Sequence, residues 1–148
     1  PPLLVKVAPD LDHEERRTVA DVALETGVDG LIVGNTTVSR PEGLRSAHRD
    51  EAGGLSGKPL FDLSTAVLAD FYGLCQGRLP LIGVGGVASG RDAYAKIRAG
   101  ASLVQLYTAL VYGGPGLVRR IKAELAECLA ADGIDHVGAA VGRDARTR

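Results

Sequence analysis

Leu79-Pro80-Leu81-Ile82-Gly83-Val84-Gly85-Gly86-Val87-Ala88-Ser89-Gly90 holds an apolar run, a glycine-rich turn and a helix start in immediate succession. Leu79 to Ile82 reads as a short buried strand. The helix starts near Ser89, and Asp92, three residues on, is placed to complete a capping box that satisfies two orphan amides. It stops at Gly100, and Leu103-Val104-Gln105-Leu106 forms the next strand. This is the grammar of a βα unit in a parallel sheet.

The same grammar recurs in both directions. Upstream, Leu3-Leu4-Val5-Lys6-Val7 is a strand ended by Pro9, and Asp12 with Glu15 forms another capping box. Val19, Val22 and Ala23 give that helix its apolar stripe, and Gly27 stops it. Leu31-Ile32-Val33 is the second strand; Val67, Phe71, Leu74 and Cys75 mark the next helix, which stops at Gly77. Downstream, a last helix opens at Pro115 and carries Leu117, Ile121, Leu125 and Leu129 before Gly133. From Ile134 onward only a short polar tail is expected.

Continuous apolar strands alternating with amphipathic helices make a parallel sheet covered by helices. Two α/β architectures fit: an open doubly wound sheet, or half of a (β/α)₈ TIM barrel. A complete barrel needs about 250 residues, whereas this chain has 148. Four βα units are half of one. The chain also lacks Met and opens Pro1-Pro2-Leu3-Leu4 straight into an apolar run, which suggests a cut from something longer.

Composition narrows the function classes. Apolar residues are 45%, charged residues 24% and the formal net charge −1, so no global field recruits nucleic acid or anionic lipid. No apolar run reaches the roughly 20 residues of a membrane helix. Cys75 and Cys128 are too few for a disulfide framework and fall on helical stripes, where a small buried hydrophobe is expected. His13, His48 and His136 lack metal-ligand spacing and read as surface residues. No metal site and no Ser/His/Asp or Cys/His constellation stands out. Glycine is the outlier, at 20 residues.

The residues with chemical content gather where strands end, the side on which both architectures bind ligands. Lys6 stands in a strand expected to be buried on both faces, where a lysine is costly unless it meets an anion. It is either a strand-end lysine that snorkels to solvent or a cation aimed into the barrel mouth. Asn35-Thr36-Thr37 either bind a planar heterocycle or carboxylate, or bond their own backbone in a turn. Gly83-Val84-Gly85-Gly86 lets backbone amides approach a phosphate, or merely allows tight packing. Gly83, Gly85 and Ala88 also fit a loose dinucleotide pattern, but the next strand ends without the acidic residue that would hold a ribose. Tyr107 and Thr108 either share that phosphate or form a buried tyrosine with a satisfied hydroxyl. The connection from Val38 to Leu60 is long, and its Gly53-Gly54-Leu55-Ser56-Gly57 segment suggests an ordered loop packed close to a ligand.

Five collinear motifs then resemble one family. Val5-Lys6-Val7-Ala8-Pro9-Asp10, Asn35-Thr36-Thr37, Gly53-Gly54-Leu55-Ser56-Gly57-Lys58-Pro59-Leu60, Ile82-Gly83-Val84-Gly85-Gly86 and Gln105-Leu106-Tyr107-Thr108-Ala109-Leu110 are similar to the C-terminal half of the dihydroorotate dehydrogenases. Lys58-Pro59-Leu60 resembles the quinone-linked class 2 form. The resemblance implies an FMN-containing (β/α)₈ barrel, with residues 1–148 as the C-terminal half of that single domain. It implies oxidation of dihydroorotate to orotate in pyrimidine synthesis, with electrons passed to a quinone. Lys6 would contact the flavin, where a cation suits a ring that gains negative charge on reduction. Gly34, Gly57, Gly85, Gly86, Tyr107 and Thr108 would bind FMN, and Asn35 and Thr36 the orotate. Gly34 departs from the threonine frequent in relatives, so a contact there would be through backbone.

The resemblance also implies what lies elsewhere. The family's catalytic base is a Ser in the first half of the barrel, so neither Ser39 nor Ser56 takes that role. Quinone access and peripheral membrane contact, on the cytoplasmic face of a bacterial inner membrane or on the mitochondrial inner membrane, belong to N-terminal segments. Two alternatives remain: another FMN- or phosphate-binding barrel, and a non-catalytic half-barrel that binds phosphate ligands or a partner.

Overall fold

The computed structural model describes residues 1–145. Four parallel strands, β1 (Leu4–Val7), β2 (Gly30–Val33), β3 (Leu81–Val84) and β4 (Leu103–Gln105), pair in the order β1-β2-β3-β4. They alternate with α1 (His13–Thr26), α2 (Phe61–Leu74) and α3 (Gly90–Arg98); α4 (Thr108–Gly113) and α5 (Gly116–Ala131) follow β4. A doubly wound sheet reverses its strand order partway. This sheet does not reverse. Right-handed crossovers wound in one sense put the connecting helices α1, α2 and α3 on the same face of the sheet, the arrangement of half a (β/α)₈ barrel.

Local chemistry explains the helix ends. The Asp12 side chain accepts from the Glu15 amide at 2.9 Å while Glu15 accepts from the Asp12 amide at 2.8 Å, so the expected capping box is complete. At α3 the Ser89 hydroxyl accepts from the Asp92 amide at 3.1 Å, and the Asp92 carboxylate takes the Ala88 amide at 3.0 Å. That box therefore closes one residue earlier than its sequence pattern implies.

The core lies between sheet and helices. Leu31 and Val33 of β2, Leu81 of β3 and Val67, Leu68 and Phe71 of α2 are buried together, with Ala20 and Ala23 of α1 beside them. Side chains alternate across a strand, so their neighbours point to the other face. There Lys6, Ile32, Ile82 and Leu103 share one rung of the parallel register.

Four expectations need correction. Lys6 is exposed, because β1 is an edge strand and no described residue covers the inner face of the sheet at that point. The third strand is Leu81–Val84 rather than Leu79–Ile82. Pro80 offers no N–H to the ladder, though its carbonyl still accepts from the Leu31 amide at 3.1 Å. The short helix α4 was not anticipated. Ile134 onward is no simple tail: Ile134 and Ala140 pack on Ile97 of α3, and the Asp144 amide donates to the Arg98 carbonyl at 3.0 Å. No helix among the described residues is long and apolar enough to cross a membrane.

Candidate functional site

A cleft of about 600 Å³ opens at the C-terminal ends of the strands, within the range usual for small-molecule sites. It is lined by Lys6 from β1, by Gly34, Asn35 and Thr36 after β2, and by Gly85 and Gly86 after β3. Tyr107 and Thr108 after β4 and Gly57 from the long loop complete it. The nine residues that the resemblance implies for flavin and substrate thus reach one cavity, whereas Thr37 and Gly83 do not line it.

Asn35, Thr36 and Thr37 divide between two jobs. Thr37 is buried and donates its hydroxyl to the Asp10 carboxylate, which also takes the Val38 amide at 3.2 Å and the Ser39 hydroxyl at 3.3 Å. Partial burial pushes the Asp10 carboxyl up, but these hydrogen bonds outweigh it and hold the group below the usual carboxylate value. Asp10 therefore pins the chain as it leaves β2. The Asn35 amide nitrogen donates to the Val7 carbonyl at 2.8 Å, anchoring its backbone to β1. Its side chain and that of Thr36 face the cleft and hydrogen-bond no other described residue. Of the two readings left open for the triplet, the turn applies to Thr37 and the free polar groups to Asn35 and Thr36.

The long connection is ordered around a guanidinium. Arg40 donates to the carbonyls of Arg49 at 3.0 Å, Glu51 at 2.6 Å and Gly53 at 2.8 Å. The Thr37 and Leu55 backbones bridge to each other, and Gly54 lies so close to Thr36 that an added Cβ would fall 1.9 Å from Thr36 Oγ1. The loop is thereby folded back onto the cleft, and its end is stitched across it. Thr108 Oγ1 donates to Ser56 Oγ at 2.9 Å, and Gly57 packs on the Thr108 methyl.

At the Gly85–Gly86 turn the φ angles are 106° and 74°, which L side chains rarely adopt. A Cβ on Gly86 would lie 2.5 to 2.9 Å from Phe61, including its backbone. A Cβ on Gly85 would lie 2.7 Å from Ser64 Oγ. Only bare backbone fits, so peptide groups rather than side chains face the cavity. Tyr107 is exposed beside it, which removes the reading of a buried tyrosine with a satisfied hydroxyl. Lys6 projects into the cleft with no ion-pair partner among the described residues.

Two cationic lining residues had no assigned role in the sequence, Lys58 and Arg120. Arg120 follows the buried Leu117 by three residues on α5, so the helical spacing puts both on one face and could have revealed it. Lys58 sits directly after the Gly57 turn, at the start of the short 3₁₀ segment Lys58–Leu60. The arrangement as a whole offers a cation and bare amides beside two free hydrogen-bonding side chains. It suits a planar anionic ligand with a phosphate at one end.

Comparisons with known proteins give the chain's family and fold. The family model described as Dihydroorotate dehydrogenase matches residues 1–129. A dihydroorotate dehydrogenase (quinone) from Azorhizobium caulinodans is 66% identical over 146 residues, covering 99% of this chain and 41% of that protein. The mitochondrial dihydroorotate dehydrogenase (quinone) of Mus musculus is 58% identical, covering 99% of this chain and 37% of that protein. A crystal structure of DHODH from Eimeria tenella in complex with ferulenol superposes with a TM-score of 0.95 at 53% identity. It covers 99% of this chain and 39% of that one.

Proposed function

The chain belongs to the dihydroorotate dehydrogenase family, and from that premise we propose that it supplies the C-terminal half of an FMN-binding barrel that oxidises dihydroorotate to orotate and passes the electrons to a quinone. The chain spans about two-fifths of the relatives' length, 41% for the bacterial one and 37% for the mouse one. The carrying observation is the convergence of all nine singled-out residues on one cleft.

The residues suit FMN. Gly85 and Gly86 leave room for backbone alone, as a phosphate site built from amides requires. Gly57 and Thr108, already linked through Ser56, would close the phosphate end with Tyr107. Gly34 would meet the flavin through backbone, since a Cβ there would lie 2.8 Å from the Val7 carbonyl. Bound FMN would supply the two-electron acceptor. Lys6 would hold a fixed positive charge beside the ring, favouring the reduced state. Asn35 and Thr36 would orient the substrate, offering an amide donor, an amide acceptor and a hydroxyl. The proton acceptor would be a Ser outside this chain. Quinone access and membrane contact would likewise belong to other segments, at the bacterial or mitochondrial inner membrane.

Replacing Lys6 by Ala in the full-length protein tests the reading. Losing one charge-assisted contact should cost about 1.5–3 kcal/mol in flavin binding and slow flavin reduction by dihydroorotate. Unchanged flavin occupancy with an unchanged reduction rate would remove Lys6 from the site.

A further inference from the structure

Lys96 is the one charged side chain fully buried among the described residues. It sits on α3 beneath Gly83 of β3, outside the cleft lining. Its Nζ donates to Ser64 Oγ at 2.6 Å and lies 5.0 Å from the centre of the Phe61 ring. Ser64 Oγ in turn lies 3.1 Å from the Phe61 carbonyl and 3.3 Å from the Gly85 carbonyl. A hydroxyl has one hydrogen to donate. With an ammonium occupying a lone pair, that hydrogen is directed to the two carbonyls.

The consequence runs through one peptide plane. The Gly85 carbonyl and the Gly86 N–H belong to the same planar unit and point in opposite directions. A carbonyl turned back toward Ser64 sends the Gly86 N–H outward, toward the cleft. No described backbone or side-chain group accepts from that N–H.

We propose that Lys96 is a positioning residue for the phosphate end of the cleft: acting through Ser64, it fixes the Gly85 carbonyl and so aims the Gly86 amide at the ligand's phosphate. The proposal rests on the FMN reading above and adds to it a buried cation behind the glycine turn. Burial pushes Lys96 down from 10.5 to about 7, against the attraction of Asp62 on α2 and Asp92 on its own helix. Strands β3 and β4 bring no titratable side chain, and Glu124 of α5 is engaged by the Gly90 amide. Near neutral pH, a phosphate dianion in the cleft therefore draws a proton onto Lys96. Phosphate affinity is highest with Lys96 charged and falls as pH rises above about 7.

The test compares FMN with riboflavin, which has the same ring and no phosphate, on the full-length protein and its Lys96→Met and Ser64→Ala variants. Each variant should bind FMN about tenfold more weakly while riboflavin affinity stays within about twofold. The double variant should be no worse than either single, because the two residues act as one relay. Between about pH 7 and about pH 9 the wild-type preference for FMN should decline, and in Lys96→Met it should stay flat. The phosphate's own ionisation near pH 6 is common to both proteins and drops out of the difference. Parallel loss of FMN and riboflavin, or no loss of either, would overturn the proposal. A wild-type protein that does not prefer FMN to riboflavin would instead overturn the FMN reading itself. If Lys96→Met does not fold, Ser64→Ala decides by the same criterion.

Discussion

The two faces of the sheet are built from similar residues and differ most in burial away from the centre, since on the inner rung Ile82 is still buried. On the helix side Leu31, Val33, Leu81 and Phe71 are 0% exposed. On the inner side Leu103 is 64% exposed, and at the mouth Tyr112 is 88% exposed. Hydrophobicity alone does not decide which residues are buried; the winding does. Strands taken in sequential order put the connecting helices on one face, which leaves the inner face to other strands. The covered face holds the fold together, while the bare face and its rim carry the ligand cleft. Stability and function are thus separated across a single sheet.

The largest expected effect follows from the bare face. Made on its own, the 148-residue chain should self-associate, since β1 and β4 are unpaired edges flanking exposed apolar side chains. Light scattering should give a mass above one chain. Leu4→Lys together with Leu103→Lys should lower it toward a single chain, because both residues lie on the inner face. A monodisperse monomer before substitution would break the contrast between the faces.

Next in size is the covered face. Phe71→Ala should cost about 3–5 kcal/mol, from lost transfer energy and the cavity left among residues too well packed to collapse. Tyr112→Ala, at the exposed mouth, should stay within about 0.5 kcal/mol. Denaturant midpoints of the two variants measure the contrast directly, and equal losses would abolish it.

What could be read in advance divides along similar lines. Asp12 with Glu15, and Ser89 with Asp92, are local devices, and their helices start where the sequence implies. The cleft was largely legible because Gly34 to Thr36, Gly85 with Gly86, and Tyr107 with Thr108 each follow a strand, so grouping them required only a parallel sheet. Helix α4 was not legible: Thr108–Gly113 has no capping side chain, and a glycine ends it. Nor was the packing of Ile134 and Ala140 on Ile97, whose spacing matches no single element and whose contacts are long-range. Lys96 escaped for a different reason. In Tyr94-Ala95-Lys96-Ile97 a lysine looks like the solvated side of a helix, and only long-range packing, beneath Gly83 of β3 and against Ser64 and Phe61 of α2, makes it buried.

A third prediction sharpens the division of labour within the cleft. On the proposed assignment, Asn35→Ala in the full-length protein should leave flavin absorbance in place while turnover falls, since it strips a donor and an acceptor only from the side proposed for the substrate. Each substrate atom left unpaired should cost about 1–3 kcal/mol. A variant that lost flavin but kept normal substrate affinity would reverse the assignment of the two ends.

The smallest effect lies where the covered face ends, at the segment beyond α5. Arg98 holds the Asp144 carboxylate through contacts of 2.6 to 3.0 Å and also reaches Asp132 at 2.7 Å. The Arg98 hydrogen bonds keep the Asp144 carboxyl below its ordinary value, with partial burial opposing them. A folded-state value below the unfolded one means the pair stabilises the fold at neutral pH. That contribution is lost as pH falls below the ordinary 3.8 and through the lower folded value. Asp144 is more than half exposed, so solvent screening keeps the effect below about 1 kcal/mol. Asp144→Asn should therefore lower stability slightly at pH 7 and by less at about pH 2, below the ordinary 3.8, where protonation of Asp144 shrinks the difference. Denaturant midpoints at the two pH values measure the difference. An equal loss at both would mean that packing of Ile134 and Ala140 on Ile97, rather than charge, fastens this segment to the helix layer.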